Sequence, residues 1–417
     1  MKKNLFLFVV GCLILFVGTG CSDNDSLEDS PLPGTEKGVK IELTQAEVAV
    51  VNSQNSFSLD MYAKLYEGSK IAKNTLLSPF SVYCVLGMLS NGATGETKEE
   101  ILSAMGLEKY NRSELNEYFG KMISGMPKVD PAVQLETPNS IWYDNSISLK
   151  DDFVSMNKEY FGASSFMVDF SASSAVDRIN NWCKEATKGK IEKIVDEFSP
   201  FTIAALVNAV YFKARWENAF SKKNTSDGLF YQEDGKKVNV PFMHRETTTY
   251  YWANELFSSI SLPYASGAYQ MRLILPNKGV ALSDVVNAVK TPGYLESCLK
   301  ESKLCRVNMS IPKFDIKADL RLEDTLMSMG MYHAFDSNAD GFRDMADVPF
   351  FISMVKQSAC LKVDEEGSEG AAVTIIVGDT DFLVPEKVTF EADRPFLFMI
   401  TEGGTDVLLF IGSVEAF

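Results

Sequence analysis

The run LVNAVYFKARW, residues 206–216, is the feature that most restricts what this 417-residue chain can become. Its apolar residues, Leu206, Val207, Ala209, Val210, Tyr211, Phe212, Ala214 and Trp216, follow too closely for one wet face, so it predicts a mostly buried strand. Further strand candidates are SSISLPY, QMRLILP, CRVNMSIPKFDI, FLFMI and DVLLFIGSV. Helical spacing is concentrated earlier. Phe57, Met61, Tyr62, Leu65 and Tyr66 predict an amphipathic helix from Val48 to Tyr66. Ser78 before Pro79 reads as a capped helix start. Thr97 with Glu100 reads as a capping box opening the next helix. NWCKEATKGKI predicts a helix between about Asn180 and Ile194, closed by Gly189. Helices early and strands late argue for an α+β fold rather than repeated βαβ units. With 46% apolar residues the chain can bury one large core or two smaller ones. No repeat or linker-like break interrupts residues 45–417, so a single domain is the simplest reading.

The N-terminus has a different logic. Lys2 and Lys3 precede an apolar run from Leu5 to Val17, too short to span a bilayer stably and laid out like a secretory signal. Cys21 after Gly18, Thr19 and Gly20 resembles a bacterial lipoprotein processing site, although Gly18 stands where such sites usually have leucine. On this reading residues 1–20 are a lipoprotein-type signal peptide, and Cys21 is the lipidated first residue that holds the protein at an outer membrane or cell surface. A cleaved signal without lipidation, giving a secreted chain, is the alternative. SDNDSLEDSPLPGTEKG is acidic and rich in Ser, Pro and Gly, so residues 21–42 read as a flexible tether. Folding is expected to begin near Val39, with the domain taken as 43–417. Cys84, Cys183, Cys298, Cys305 and Cys360 remain, without CxxC spacing, so buried thiols are expected rather than a disulfide framework or a zinc site. A net charge of −16 repels phosphate backbones, and nucleic acid is not an expected partner.

Little in the chain suggests an enzyme. His244 and His333 are its two histidines, neither in a nucleophile-elbow context, and each reads as a surface or satisfied core residue. DSNADGFRDMAD, residues 336–347, puts Asp336, Asn338, Asp340, Gly341 and Asp344 at calcium-loop spacing. However, Asp347 stands where the bidentate Glu belongs, Arg343 takes the aliphatic position and Pro349 interrupts a following helix, so a solvated turn is favoured. No metal or cofactor is expected.

DEEGSEGAAVTIIVGDTDF, residues 364–382, is ambiguous. It starts like a loop and continues like a strand. Sorted by the strand period, residues 368–378 place Ser368, Gly370, Ala372, Thr374, Ile376 and Gly378 on one face, uncharged and mostly small. Glu369, Ala371, Val373, Ile375 and Val377 fall on the other. Such a strand could enter an existing sheet without burying a carboxylate, or remain an exposed loop.

Several long stretches together resemble one family, the serpins. NTLLSPFSVYCVLGMLSNGATGET, INNWCKEATKGKI, LVNAVYFKARWENAF, SLPY with MRLILP, MGMYHAFD, DEEGSEGAA and FEADRPFLFMITEGGTDVLLFIGSV occur in the family's order, from about residue 45 to Phe417. The resemblance implies three β-sheets, about nine helices and an exposed C-terminal reactive loop, here residues 365–385, in a native state kinetically trapped above a more stable form. It implies a loop hinge at Glu365, Gly367, Ser368, Glu369, Gly370, Ala371, Ala372 and Val373. Counting sixteen residues on from Glu365, or back from Phe390 with Pro385 as landmark, it implies a scissile bond at Asp381–Phe382. Ser78, Ser81 and Asn208 match the shutter where strands part, and Trp216 matches the aromatic under the breach. Gln357 departs from the histidine common there; because it can donate and accept, the network is expected to persist with altered strength. Each also has a plainer role, as helix cap, strand hydrogen bond or core filler.

The activity implied is suicide inhibition of serine, alternatively cysteine, endopeptidases by a monomer that is not itself an enzyme. Asp381 would suit granzyme B-like or caspase-like proteases, although export argues against a cytosolic caspase; Phe382 would suit chymotrypsin-like enzymes, and Thr380 or Val377 elastase-like ones. Some members instead act as carriers, chaperones or plain protease substrates, which is the alternative.

Overall fold

The computed structural model describes residues 38–68, 74–199, 201–368 and 385–417. Residues 1–20, read above as a signal, Cys21 and most of the stretch read as a tether therefore lie outside the described residues. The chain opens with α1 (Gln45–Gly68), β1 (Thr75–Leu77), α2 (Pro79–Ser90), α3 (Gly95–Met105) and α4 (Arg112–Val129). There follow β2 (Gln134–Glu136), β3 (Asn139–Asp144), α5 (Asp151–Phe161), β4 (Ser164–Val168), α6 (Ser173–Ala186) and β5 (Ala204–Arg215). Strands then dominate: β6 (Thr225–Tyr231), β7 (Lys237–Ala253), β8 (Phe257–Tyr264), β9 (Tyr269–Pro276), α7 (Leu282–Val289), α8 (Tyr294–Lys300), β10 (Lys303–Pro312) and β11 (Phe314–Arg321). The chain closes with α9 (Glu323–Ser328), β12 (Met354–Val363), β13 (Gly367–Ser368), β14 (Lys387–Glu391), β15 (Phe396–Glu402) and β16 (Leu408–Val414). Nine α-helices among the described residues and the late strands match the expected α+β class.

One sheet runs β11-β12-β5-β3-β4, with β2 and β13 also on β5; the other runs β1-β16-β15-β9-β8-β7-β10-β14, with β6 on β7. The second path is two sheets joined by one long strand, because β7 pairs with β10 through Phe242–Tyr251 but with β8 only through Tyr251–Ala253. β5 is buried on both sides, as its composition requires. Leu206, Val210, Phe212 and Ala214 join the main core, while Ala205, Val207 and Ala209 face a second cluster with Ala175, Ile179 and Cys183 of α6. β5 therefore sits between two apolar layers.

Several local expectations are corrected. α1 starts at Gln45, ahead of Val48, because Thr44 and Glu47 exchange hydrogen bonds: Thr44 N–H to Glu47 Oε2 at 2.7 Å and Glu47 N–H to Thr44 Oγ1 at 3.3 Å. Ser78 stands at the N-cap of α2 with Pro79 as its first residue, as expected, but its side chain makes no capping bond and donates instead to Leu409 O at 2.8 Å. Thr97 does not open α3, which begins at Gly95 after Thr94. Thr97 is buried against Gly341, where an added Cβ would come within 1.8 Å of the threonine hydroxyl, and Glu100 bonds His333 instead. The helix expected between Asn180 and Ile194 is Ser173–Ala186, with Gly189 at φ +80° donating back to Lys184 O at 2.7 Å. CRVNMSIPKFDI is two strands, since the chain turns at Lys313 from β10 into β11. Carboxylates of the 336–347 turn pair with cations: Asp340 with Arg343 inside the turn, Asp344 with the distant Arg112 and Asp347 with the distant Lys150. Cys84, Cys183, Cys298 and Cys305 are buried, and burial pushes the Cys183 thiol up to about 12; Cys360 is only partly buried.

Candidate functional site: a closed seam and its hinge

β5 and β12 are parallel neighbours, paired from Ala205 with Met354 to Tyr211 with Cys360. Every other strand contact they make is antiparallel: β12 with β11, β5 with β3, β2 and β13. A parallel step inside such a sheet leaves room for one more strand of opposite direction, which would make antiparallel ladders with both neighbours.

The chain leaving β12 turns back toward that seam. Asp364 N–H donates to Gly367 O at 3.0 Å, and Glu366 N–H to Asp364 Oδ1 at 2.9 Å. Gly367 is obligatory here: its φ is +143°, and a Cβ would lie 2.3 Å from Ala214 O. β13 then runs antiparallel to β5, Gly367 opposite Arg215 and Ser368 opposite Ala214. It takes the edge that β12 leaves at Tyr211.

The turn is held from beneath and from the side. Trp216 donates its backbone N–H to Glu366 O at 3.0 Å and its indole N–H to Asp364 O at 2.9 Å. Trp216 stacks on Tyr264 with ring centroids 4.4 Å apart and planes at 11°, and the Tyr264 hydroxyl is 2.8 Å from Ser368 Oγ. Burial pushes the Tyr264 phenol well above its ordinary range, so it stays neutral. Ser368 is fully buried, and Glu365 is 4% exposed. Glu365 accepts from Lys313 Nζ at 2.8 Å and Thr225 Oγ1 at 2.8 Å, while Glu366 pairs with Lys222 at 2.5 Å. Burial alone would raise the Glu365 carboxyl, but the bonds from Lys313, the backbone and Thr225 hold it below the usual carboxylate range.

A sign follows for pH. A carboxylate with a depressed folded pKa contributes stability above its unfolded pKa, about 4.3 for glutamate, and loses it as pH falls through the folded value. Glu365→Gln is therefore expected to be less stable than wild type at pH 7, by about 1–3 kcal/mol from the charged hydrogen bonds lost. The gap should close on acidification below pH of about 4.3. Unfolding midpoints measured from pH 7 to pH 3 check this; parallel profiles would show that the Lys313 contact contributes nothing.

Lower in the seam, the residues singled out as the shutter meet. Gln357 and Asn208 are cross-strand partners. Ser78 N–H donates to Gln357 Oε1 at 2.8 Å, and Gln357 Nε2 donates to Ser78 O and to Asn208 Oδ1, each at 2.9 Å. Asn208 Nδ2 donates to Ser81 Oγ and to Asn139 Oδ1, the latter at 2.8 Å. All five side chains are at most 3% exposed. Glutamine thus keeps a network joining β5, β12, β3 and the start of α2, as its paired donor and acceptor allow.

Of the positions inferred from the sequence, Glu365, Gly367 and Ser368 gather with Trp216 at the top of the seam, and Ser78, Ser81, Asn208 and Gln357 lower down. Glu369, Gly370, Ala371, Ala372, Val373, Asp381 and Phe382 lie outside the described residues. The sequence reading missed Lys313, Thr225, Tyr264 and Asn139. Lys313 had a visible signal, a lone basic residue between the strand patterns RVNMSIP and FDI; Asn139, a polar head on the apolar NSIWYD, had a weaker one.

The family described as Serpin (serine protease inhibitor) has a model that matches residues 52–416. An uncharacterized serpin-like protein of Thermococcus kodakarensis is 31% identical over 98% of this chain and 96% of its own length. The native-state crystal structure of tengpin, a thermophilic serpin, matches with a TM-score of 0.82 at 28% identity, covering 92% of this chain and 97% of tengpin. Human thyroxine-binding globulin complexed with thyroxine matches with a TM-score of 0.81 at 28% identity, covering 89% and 99%. A match over almost the whole folded region and a relative alike from end to end place this chain in the serpin family.

Proposed function

We propose that this serpin is a suicide inhibitor of serine, alternatively cysteine, endopeptidases. The observation that carries the proposal is the register of β13 at the mouth of a closed parallel seam. Continued at that register, residues 368–378 would pair with Ala214 back to Ala204, almost the whole length of β5. Ser368, Gly370, Ala372, Thr374, Ile376 and Gly378 would then share the core-facing side with Leu206, Asn208, Val210 and Phe212. Thr374 would meet Asn208, and Glu369, the one charge, would stand opposite the partly exposed Lys213. No carboxylate would be buried.

In the proposed reaction a protease nucleophile attacks the carbonyl carbon of Asp381. The bond to the Phe382 nitrogen breaks, the new amine takes a proton, and the protease is left as an acyl ester, or thioester for cysteine, on Asp381. Release of that end lets the upstream segment enter the seam as a strand and carry the protease with it. Insertion outruns hydrolysis and the adduct persists. The chain acts as an exported monomer, anchored through a lipid at Cys21. The test is incubation with an Asp-selective serine protease, chymotrypsin and elastase. An SDS-stable adduct, with a new C-terminus at residue 381 in the cleaved fraction, is expected; cleaved chain alone with all three overturns the proposal. A carrier role is the second reading, favoured by the likeness to a thyroxine-binding globulin that holds thyroxine.

A further inference from the structure

His333 is held between two carboxylates that stand one turn apart on α3. Its Nδ1 lies 2.6 Å from Glu100 Oε1 and its Nε2 3.1 Å from Glu96 Oε2, while its backbone N–H donates to Glu100 Oε2 at 2.8 Å. Glu96 and Glu100 are like charges at i and i+4, an arrangement that destabilises a helix unless a cation stands between them. The ring can be that cation. An imidazolium has two N–H donors and serves both carboxylates; a neutral imidazole has one, and its bare nitrogen then faces the other carboxylate. The observed pair of contacts therefore belongs to the charged ring. The bond to Glu100, with the charges of Glu100, Glu96 and Asp336, holds the ring's pKa above its ordinary value of 6.5, against the opposing effect of burial. Lys98, a cation on the same helix, acts on Arg112 and Asp344 instead.

The residues beside His333 lead into the seam. Ala334 O accepts from Ile352 N–H at 2.9 Å. The next residue, Ser353, donates its N–H to Ala204 O at 2.9 Å and accepts from Ile203 N–H on its Oγ at 3.1 Å. Ala204 is the first residue of β5, and Met354 the first of β12. Ala334 and Ile352 are both buried, so this junction is packed as well as hydrogen-bonded. His333 thus fixes to α3 the stretch of chain that closes the lower end of the seam.

We infer that His333 is a proton-operated latch: with its proton it ties residues 331–336 to α3, and without it this stretch and the lower end of the β5–β12 seam open more often. The latch is a property of the native fold and stands whether or not the loop traps a protease. Its sign follows from linkage. A base whose folded pKa is raised adds stability that is complete below its unfolded value, about 6.5, and is lost as pH rises through the folded value. The seam is therefore held more firmly in mildly acidic surroundings than in alkaline ones. Histidine suits this task because its charge changes within the range of pH that an ordinary environment spans.

The chain has two histidines, so NMR of histidine-labelled protein follows each ring, with His333→Gln and His244→Gln assigning the signals. His333 is expected to titrate above about 6.5, and Glu100→Gln to lower that value. Hydrogen exchange of the stretch 331–357 is then compared in wild type, His333→Gln and His244→Gln from about pH 5.5 to about pH 9, the ratio of variant to wild type at each pH removing the intrinsic pH dependence of exchange. At the acid end His333→Gln is expected to exchange about threefold faster than wild type or more, the ratio falling to about one where the wild-type ring is neutral, while His244→Gln matches wild type throughout. A His333 titration at or below about 6.5, or a His333→Gln ratio that does not change with pH, overturns the latch. If His333→Gln does not fold, the wild-type titration and its response to Glu100→Gln decide the matter.

Discussion

Nicking the chain between residues 369 and 384 is expected to raise its unfolding midpoint, the reverse of what a cut normally does. At the observed register the released strand gains about ten backbone hydrogen bonds at about 1 kcal/mol net each, on the order of 10 kcal/mol. For a chain of this size that is a rise on the order of 10–20 °C. Before the cut the gain is out of reach. Full entry requires about 33 Å of travel along β5 over ten residues. The seven residues from 378 to 385 span at most about 25 Å, and their far end is tied to β10 through Glu386. On the proposed mechanism, these two anchor points keep the uncut chain from entering the seam. Thermal scans of the chain before and after limited proteolysis check this; an unchanged or lower midpoint in the nicked chain would remove the basis of the inhibitory mechanism.

On the proposed mechanism, Ser368→Arg is expected to leave a chain that proteases cleave without being trapped. Ser368 is fully buried beside the Tyr264 hydroxyl, next to the Trp216–Tyr264 stack, and in the proposed mechanism it is the first residue of the entering strand. A guanidinium there must either lose its water in an apolar pocket, at several kcal/mol, or hold the hinge out of the seam. Entry then slows and hydrolysis of the acyl-enzyme wins. Adduct yield should fall by about tenfold or more, since each 1.4 kcal/mol on the entry barrier is tenfold in rate. Cleavage at the loop continues. Ser368→Ala, which loses about 1 kcal/mol of hydrogen bonding, should keep most of the adduct. Gel densitometry of adduct against cleaved chain separates the outcomes, and full adduct yield from the arginine variant would refute insertion at this position.

Local pattern was legible wherever it followed from one short stretch. The close apolar spacing of 206–216 announced a strand covered on both faces, and β5 is covered on both. Helix ends were read less well, because rival groups compete for the same side chains. Ser78 stands at the N-cap of α2, but its hydroxyl donates to Leu409 O and not to a capping bond; Thr97 could open α3, but Gly341 packs over it. Lys313 escaped notice as a site residue because its role depends on where the corner between β10 and β11 falls, which places its ammonium 2.8 Å from Glu365.

The sequence alone determined the α+β class, the buried central strand and the small, uncharged alternate positions of 368–378, because each depends on residues within one element and the period of that element. Only the tertiary structure decided that β5 and β12 stand side by side and parallel, that the chain turns back at Gly367 to pair with Arg215 and Ala214 at the end of β5, and that Ser78, Asn208 and Gln357 share one buried network. Those facts join residues as far apart as 279 positions. Strand order and register set them, and no short-range pattern specifies which strands will be neighbours.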